Sequence, residues 1–343
     1  MKKAVWMIGC VLMTALLQAQ DINFSQFYEL PLLRNPGLAG TYDGDLRVTG
    51  AFKSQWGSVT TPYVSQALGG EAKFALPHSE TDFVSLGLQI TNDVAGDSRF
   101  GKTQFFPLLA YHKLLDPNNN TFATVGFLVG PVQERFDFSK LTFDDQFVNG
   151  AYSSANPTRQ TFTGSEFVYF DWSAGVSYSS QAGEGIRYYA GAALFHMSKP
   201  RVAFDRNMDV RLNQKLVFNA GLSAATNDYN KIILYADYFT QGAYSQVQGG
   251  LMYKHDFIQE GENDGETISL YGGGLLRWND AFVPVLKFDY YKLGIGLSYD
   301  VNLSKLHTAS HLRAGPELTL SYRGFLGGNS SSTRQVKCRP QGL

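Results

Sequence analysis

The sequence predicts an all-β fold, namely a transmembrane antiparallel β-barrel of about 14 strands with an irregular N-terminal segment and long outer loops. Apolar and polar residues alternate strictly along residues 167–180 (FVYFDWSAGVSYSS), which is typical of a strand with two different surroundings. The run is longer than most globular strands, and about ten residues tilted at 45° cross the hydrocarbon core of a bilayer. The pattern recurs along residues 45–325, so we assign that range to the barrel, with lipid outside and a polar lumen inside.

The composition fits a membrane barrel and argues against nucleic acid as a partner. The formal net charge is -1, so there is no basic excess to bind phosphates. Aromatic residues make up 14% of the chain and there are 35 glycines. Both features suit the aromatic girdles and close-packed walls of membrane barrels.

Residues 1–19 have the organisation of a signal peptide. Lys2 and Lys3 form the positive end, residues 4–17 are apolar, and Ala19 is a small residue suited to cleavage. We therefore expect the mature chain to begin at Gln20. Cys338 is then its single cysteine, which excludes an intrachain disulfide.

Residues 20–44 form an irregular segment ahead of the first strand. Pro31, Pro36, Gly37 and Gly40 exclude a long helix or a central strand. The segment either packs against one barrel end or enters and narrows the lumen. The sequence pattern leaves both positions open.

The chain from residue 45 onward contains an even number of strand candidates, as bacterial single-chain barrels require. The connections between them alternate between short turns, such as 116–120, and longer loops, of which 137–166 is the longest. Because outer-membrane barrels have short periplasmic turns, we expect both chain ends in the periplasm, with 326–343 as a polar periplasmic tail. The strands are predicted near 45–55, 64–76, 83–92, 102–115, 121–136, 167–180, 185–197, 211–224, 230–240, 245–257, 266–278, 281–290, 292–302 and 311–323.

The longest loop is the candidate binding surface. Its aromatic residues Phe138, Phe143 and Phe147 interleave with the carboxylates of Asp144 and Asp145. Large aromatic side chains dominate interface energies, and carboxylates steer a basic partner. The same pattern also fits a weak calcium site or a solvated loop folded over the barrel mouth.

The inward-facing positions carry charges of both signs. Mixed signs favour pairing across the lumen and a plugged or narrow interior over a selective pore, although cross-strand ion pairs are the simpler interpretation. The charged residues assigned to the lumen are Lys53, Glu71, Lys73, Asp171, Lys287, Asp289, Asp300, Glu317 and Arg323.

The sequence contains no motif for catalysis or for a cofactor. The patterns GxSxG, HExxH, the P-loop and paired cysteines are absent. His307 and His311 are four residues apart, but they flank a predicted turn without cysteine or acidic ligands nearby. We therefore expect no enzyme activity, no cofactor and no metal.

Residues 23–40 (NFSQFYELPLLRNPGLAG) resemble the N-terminal signature of the PorP/SprF family of type IX secretion outer-membrane proteins. Segments 87–96 and 195–200 resemble later family segments and occur in the family's order. The residues that match the signature are Phe24, Ser25, Gln26, Phe27, Asn35, Pro36, Ala39 and Gly40.

The resemblance implies an outer-membrane barrel that works with the secretion and gliding machinery of Bacteroidetes and has no enzyme activity. The implied partners are outer-membrane lipid, components of that machinery and one secreted cargo protein, such as an adhesin, recognised through its C-terminal sorting domain. The alternative is a passive or fatty-acid-type transporter with a similar barrel. Its selectivity would come from the lumen residues.

Overall fold

The computed structural model describes residues 21–57, 61–77, 79, 81–160, 164–183, 185–205, 207–258, 267–304 and 313–326. In this part of the chain, fourteen strands form one closed antiparallel barrel, as the sequence predicts. The predicted signal peptide, His307, His311 and the tail from residue 327 lie outside the described residues.

Each predicted strand is present, with bounds that differ by a few residues. The longest loop also contains a two-stranded hairpin of its own, β6 and β7, that the sequence pattern did not predict. The strands are β1 (Leu46–Gln55), β2 (Tyr63–Ala75), β3 (Phe83–Ala95), β4 (Phe100–Asp116), β5 (Thr121–Arg135), β6 (Phe147–Val148), β7 (Ala151–Tyr152), β8 (Glu166–Ala182), β9 (Ile186–Phe195), β10 (Lys215–Asn227), β11 (Asn230–Gln241), β12 (Tyr244–Ile258), β13 (Ile268–Arg277), β14 (Ala281–Tyr290), β15 (Leu293–Asn302) and β16 (Arg313–Gly324).

The barrel closes because β1 pairs with β2 on one side and with β16 on the other. Leu46 lies opposite Gly324, so the barrel begins and ends at the same rim. We call this the short-turn rim, since the turns 117–120 and 291–292 lie there. The opposite end, with the loop 136–165, is the long-loop rim. Which rim faces the periplasm stays a prediction.

The period-two alternation sorts the side chains by face, as predicted. In β8, Phe170 and Trp172 are 69% and 42% exposed, whereas Asp171 and Ser173 are buried. Within the described residues, no helix is both long and apolar enough to cross a bilayer. The outward-facing residues form an apolar belt around the barrel, as in membrane barrels.

The interior contains apolar clusters as well as polar groups, so the prediction of a simply polar lumen is wrong. Leu32 packs among buried wall residues that include Leu108 and Leu128. Phe27 packs against Ile233 and Met252 in a second cluster. The N-terminal segment brings apolar side chains into the barrel, and these require apolar partners on the wall.

The N-terminal segment crosses the lumen from one rim to the other through three short helical turns, Phe27–Glu29, Pro31–Arg34 and Pro36–Leu38. Its first described residue, Asp21, pairs with Lys102 close to the long-loop rim. Its last residues reach the short-turn rim, where the N–H of Asp45 donates to the carbonyl of Gly324.

The path of the segment decides between the two positions that the sequence left open, because residues 21–42 lie inside the lumen. Leu46 and Gly324 share the short-turn rim, but Asp21 lies near the opposite rim, because the segment spans the barrel before β1 begins. The chain ends themselves lie outside the described residues, so their placement in the periplasm stays a prediction.

Candidate functional site

The turn at Asn35 is held to the barrel wall by hydrogen bonds on both sides. The Asn35 side-chain nitrogen donates to the Val176 carbonyl at 3.0 Å and to Asn219 Oδ1 at 3.1 Å. Its Oδ1 accepts from the Gly37 N–H at 2.7 Å. A Cβ at Gly175 would lie 1.9 Å from that same Oδ1, so only glycine leaves room for this turn.

Pro36 approaches the wall as closely as Asn35 does. A Cβ at Gly126 would lie 2.2 Å from the Pro36 carbonyl oxygen. The Ser177 hydroxyl donates to the Gly37 carbonyl at 2.6 Å. Backbone of the segment therefore rests directly on backbone of the wall, which side chains at these positions would prevent.

Ser25 and Gln26 are bound by one carboxylate of the last strand. The Glu317 oxygens accept from the Ser25 and Gln26 N–H groups, at 2.7 Å each. Gln26 Oε1 also accepts from the Thr319 hydroxyl at 2.8 Å. The neighbouring aromatic, Phe24, is buried in an apolar cluster with Leu30 of the segment.

The Ser25 hydroxyl lies at the centre of a buried ion cluster. It donates to Asp300 Oδ1 at 2.5 Å and accepts from Lys53 Nζ at 2.8 Å and Arg277 Nη1 at 2.7 Å. Asp300 in turn pairs with Lys53 at 3.2 Å and with Arg277 at 2.7 Å. The mixed inward charges therefore pair with each other around the segment, which satisfies groups that would otherwise be costly to bury.

Gly40 ends the part of the segment that matches the family signature. Its N–H donates to Glu71 Oε2 at 2.8 Å, while Glu71 also pairs with Arg47. Its backbone has φ +69°, and a Cβ there would lie 2.4 Å from Ser85 Oγ. Both the conformation and the space require glycine at this position.

Arg34 was not singled out by the sequence pattern. Its Nε and Nη2 donate to the two carboxylate oxygens of Asp237, at 2.8 and 2.6 Å. Nη2 also donates to the Tyr189 hydroxyl at 2.9 Å, and the guanidinium lies 4.9 Å from the centre of the Phe27 ring. The available signal is the position of Arg34 directly after the apolar run 30–33. If this segment is buried, the guanidinium of Arg34 requires a buried carboxylate as its partner.

His196 and Asp21 form a second contact that the sequence pattern missed. His196 Nε2 lies 2.8 Å from Asp21 Oδ2, and Nδ1 lies 2.5 Å from Asp171 Oδ2. Burial lowers the pKa of His196, but the two carboxylates outweigh burial and raise it to about 9. A protonated His196 therefore fastens Asp21 near the long-loop rim, together with Lys102 and Lys215.

The predicted aromatic residues of the long loop lie near its surface. Phe138 and Phe147 are 40% and 59% exposed. The rings of Phe138 and Phe143 lie 6.0 Å apart, and Phe147 pairs with Tyr152 in the β6–β7 hairpin. The structure therefore brings Phe138 and Phe143 together and leaves Phe147 on a separate hairpin.

The two carboxylates of the loop differ in their surroundings. Asp144 is exposed. Asp145 Oδ2 accepts from the Arg159 N–H at 2.6 Å and from the Thr158 hydroxyl at 3.2 Å. The Arg159 hydrogen bond, more than any other contact, holds the pKa of Asp145 below its usual value. Asp145 thus stabilises the loop, and Asp144 is the carboxylate that a partner can reach.

The base of the long loop packs against the loop between β9 and β10. The Phe204 ring, in the loop between β9 and β10, lies 4.7 Å from the rings of Phe136 and Phe167. The loop is therefore a folded surface on a fixed base.

Among the residues that the structure describes, no group of three or more His, Cys, Asp or Glu side chains is arranged to hold a metal ion.

Comparisons with known proteins give one match to a family and several to barrel structures. The family model described as "Type IX secretion system membrane protein PorP/SprF" matches residues 16–322. No curated protein matches the chain.

Three similar solved structures have sequence identities of 9–11% to this chain. The CymD monoaromatic hydrocarbon channel is 10% identical, with a TM-score of 0.42, over 87% of this chain and 92% of that one. A mutant of the TodX monoaromatic hydrocarbon channel is 11% identical, with a TM-score of 0.43, over 84% and 92%. A mutant porin of Rh. blastica is 9% identical, with a TM-score of 0.28, over 81% and 98%.

Proposed function

Because the chain belongs to the PorP/SprF family of type IX secretion system membrane proteins, we propose that it serves that machinery as an outer-membrane partner protein and not as an enzyme. It supports the secretion or surface attachment of one cargo protein, such as an adhesin, through the cargo's C-terminal sorting domain. In this proposal the long-loop rim faces the outside and the short-turn rim faces the periplasm.

The observation that supports a partner role most is the filled lumen. Residues 21–42 span the barrel, and the Asn35–Pro36 turn touches wall backbone in its middle. Among the described residues, the cavities beside the segment have volumes of about 80, 30 and 30 Å³, each of which holds only a few water molecules. A barrel filled in this way supplies a rigid frame for loops and favours protein contact over solute flow.

The long loop is the proposed contact surface for the cargo. Its exposed aromatics, Phe138 and Phe147, supply anchor residues of the kind that dominate interface energies. The exposed carboxylate of Asp144 steers a basic partner and raises the association rate more than the affinity. The packing of Phe136 against Phe204 at the base of the loop keeps this surface in place.

The test compares the proteins secreted and displayed by strains that carry altered loops. Deleting residues 143–158, or changing Phe138 and Phe147 to Ala, is expected to release one cargo into the medium or retain it in the cell. The barrel should remain folded, since these residues lie outside its strands. Lys292→Ala, an exposed change at the opposite rim, is the matched control and should leave every cargo in place.

Two outcomes would contradict the proposal. One is an unchanged set of secreted and surface proteins in both loop variants. The other is loss of uptake of a solute in those strains, which would support the alternative of a passive or fatty-acid-type transporter.

A further inference from the structure

The ladder of the barrel wall is interrupted between β4 and β5. Pairing of the two strands stops at Gln104–Val132 and resumes at Leu108–Leu128, and the three described residues of each strand in between form no cross-strand pair. The register is the same on both sides of the gap, so the interruption is not a β-bulge, which would shift it. We call this stretch the β4–β5 seam, residues 105–107 and 129–131.

Two prolines account for the interruption. Pro107 lies in the seam on β4, and Pro131 lies in it on β5. A proline has no N–H to donate, which is why prolines in sheets are otherwise confined to edge strands and bulges. Pro107 still pairs with Leu88 of β3, and Pro131 still pairs with Phe170 of β8. The missing donors therefore belong to the β4–β5 seam.

One other gap of this kind occurs among the described strands, and an ion pair crosses it. Pairing of β14 and β15 is interrupted next to Pro284. There Asp300 of β15 lies 2.7 Å from Arg277 of β13, and β14 lies between these two strands. Charge therefore holds the two sides of that gap together.

The β4–β5 seam, in contrast, is apolar on both faces. Phe105 and Val129 are exposed on the outside, within the apolar belt. Phe106 of the seam and its neighbours Leu108 and Leu128 belong to a buried apolar cluster on the inside. An apolar chain that crosses the wall here would not have to desolvate polar side chains at these positions.

The N-terminal segment covers the seam from the inside. Leu32 of the segment belongs to the same buried cluster as Phe106 of β4 and Leu128 of β5. The three side chains line one cavity of about 30 Å³, which holds only a few water molecules. Leu32 therefore fills the space behind the seam.

The segment is also attached to both strands that form the seam. Asp21 lies 3.1 Å from Lys102 Nζ of β4. Pro36 rests on β5, where a Cβ at Gly126 would lie 2.2 Å from the Pro36 carbonyl oxygen. These contacts lie on either side of Leu32 in the chain, so the segment connects β4 and β5 where the ladder does not.

We propose that the β4–β5 seam is a lateral opening of the barrel, through which a lipid acyl chain of the bilayer reaches the interior when Leu32 moves away. The N-terminal segment keeps the opening closed. The inference goes beyond the proposed function, because it concerns the wall within the apolar belt and does not depend on the loops or the cargo.

The test measures how fast a buried cysteine beside the seam reacts with a maleimide dissolved in the bilayer. The full-length barrel with Cys338→Ser is placed in phosphatidylcholine vesicles, with Leu128→Cys as the probe and Val217→Cys as its control. Both positions belong to the same buried cluster, but the pairing of β10 continues without a gap at Val217. Pyrene maleimide, which dissolves in lipid, should label Leu128→Cys faster than Val217→Cys, because labelling follows local opening.

Restoring the missing donors should close the seam. Pro107→Val together with Pro131→Val should slow the labelling of Leu128→Cys by about tenfold or more, because two ladder hydrogen bonds are restored. Pro284→Val, the same change in the other gap, is the matched control and should leave this rate unchanged.

Removing the cover should have the opposite effect. Leu32→Ala should speed the labelling of Leu128→Cys by pyrene maleimide. Leu30→Ala is the matched control, because Leu30 lies on the same segment and is equally buried, but it packs in a cluster with Ala51 and Ala67 of β1 and β2. It should leave the rate unchanged.

Equal labelling of Leu128→Cys and Val217→Cys by pyrene maleimide overturns the proposal, even if the proline variant fails to fold. An unchanged rate in a folded proline variant also overturns it. So does faster labelling of Leu128→Cys by a sulfonated, water-soluble maleimide than by pyrene maleimide, because the route would then start at a rim. Equal acceleration by Leu32→Ala and Leu30→Ala would contradict closure by Leu32.

Discussion

Arg34 of the N-terminal segment and Asp237 of β11 form a two-pronged ion pair inside the barrel, with nitrogen–oxygen distances of 2.8 and 2.6 Å. Both side chains are almost fully buried, at 6% and 2% exposure. The two residues are 203 positions apart in the chain. This pair fastens the middle of the segment to the wall.

Asp237→Ala should destabilise the folded barrel by about 3–5 kcal/mol, because it leaves the Arg34 charge buried without a counter-charge. The free energy of unfolding can be measured in urea by the loss of the heat-modifiable form. The double variant Arg34→Met, Asp237→Leu should recover most of the loss, since replacing both charges by apolar groups is often near neutral. A single variant as stable as the parent would contradict the importance of the pair.

Gly175→Ala should displace the segment from the lumen while the strands of the barrel stay paired, because its Cβ would lie 1.9 Å from Asn35 Oδ1. Displacement exposes the bond after Arg34 to trypsin, so the variant should be cut there while the parent resists. Gly272→Ala is the matched control, since a Cβ at that position meets nothing within 4 Å. Equal resistance of the two variants to trypsin would show that the close contact at Gly175 is not required.

His196 should make the stability of the barrel depend on pH. Its pKa rises from an ordinary value of about 6.5 to about 9 in the folded protein. A raised pKa stabilises the folded state fully below pH about 6.5, and this stabilisation is lost as the pH rises through about 9. Lys102 and Lys215 also pair with Asp21, and Asp171 faces the other ring nitrogen of His196.

The measurement for His196 is the difference in melting temperature between the parent and His196→Gln across this pH range. The difference should be largest near pH 6 and should shrink toward zero above pH 9, where the parent histidine is neutral. A difference that stays constant with pH would mean that His196 acts through packing and hydrogen bonds that do not depend on its charge.

Leu297 and Leu293 of β15 test the depth of the membrane belt. Both face outward, at 53% and 57% exposure, but Leu297 is near the middle of the strand and Leu293 is its first residue. Leu297→Lys should cost roughly 2–4 kcal/mol and Leu293→Lys roughly 0–1 kcal/mol, since the cost of a lysine falls toward the interface. Unfolding in lipid vesicles measures both, and equal costs would contradict the assigned position of the bilayer.

The barrel itself could be predicted because its main signal is local. The period of two in residues 167–180 sets which side chains face outward, and Phe170 and Trp172 lie on the predicted face. The start of β10 was predicted four residues too early, at 211. Residues in that stretch bond across their own loop, as when the Leu212 N–H donates to the Pro200 carbonyl.

The contacts of the lumen could not be predicted, because they join residues far apart in sequence. Ser25 meets Asp300 and Asn35 meets Val176, at separations of 275 and 141 positions. The alternation of polar and apolar residues predicts that Asp300 faces inward, but it does not predict which side chain Asp300 contacts there. The β6–β7 hairpin has strands of two residues each, which is too short for a periodic pattern to show.

Ion conductance across a planar bilayer tests most directly whether the N-terminal segment closes the lumen. The purified parent barrel should insert without steady conductance, and Gly175→Ala should conduct for part of the time, because the Asn35–Pro36 turn no longer fits the wall. Gly272→Ala should stay silent like the parent. Steady conductance of the parent would contradict a filled lumen and would favour the transporter over the secretion partner.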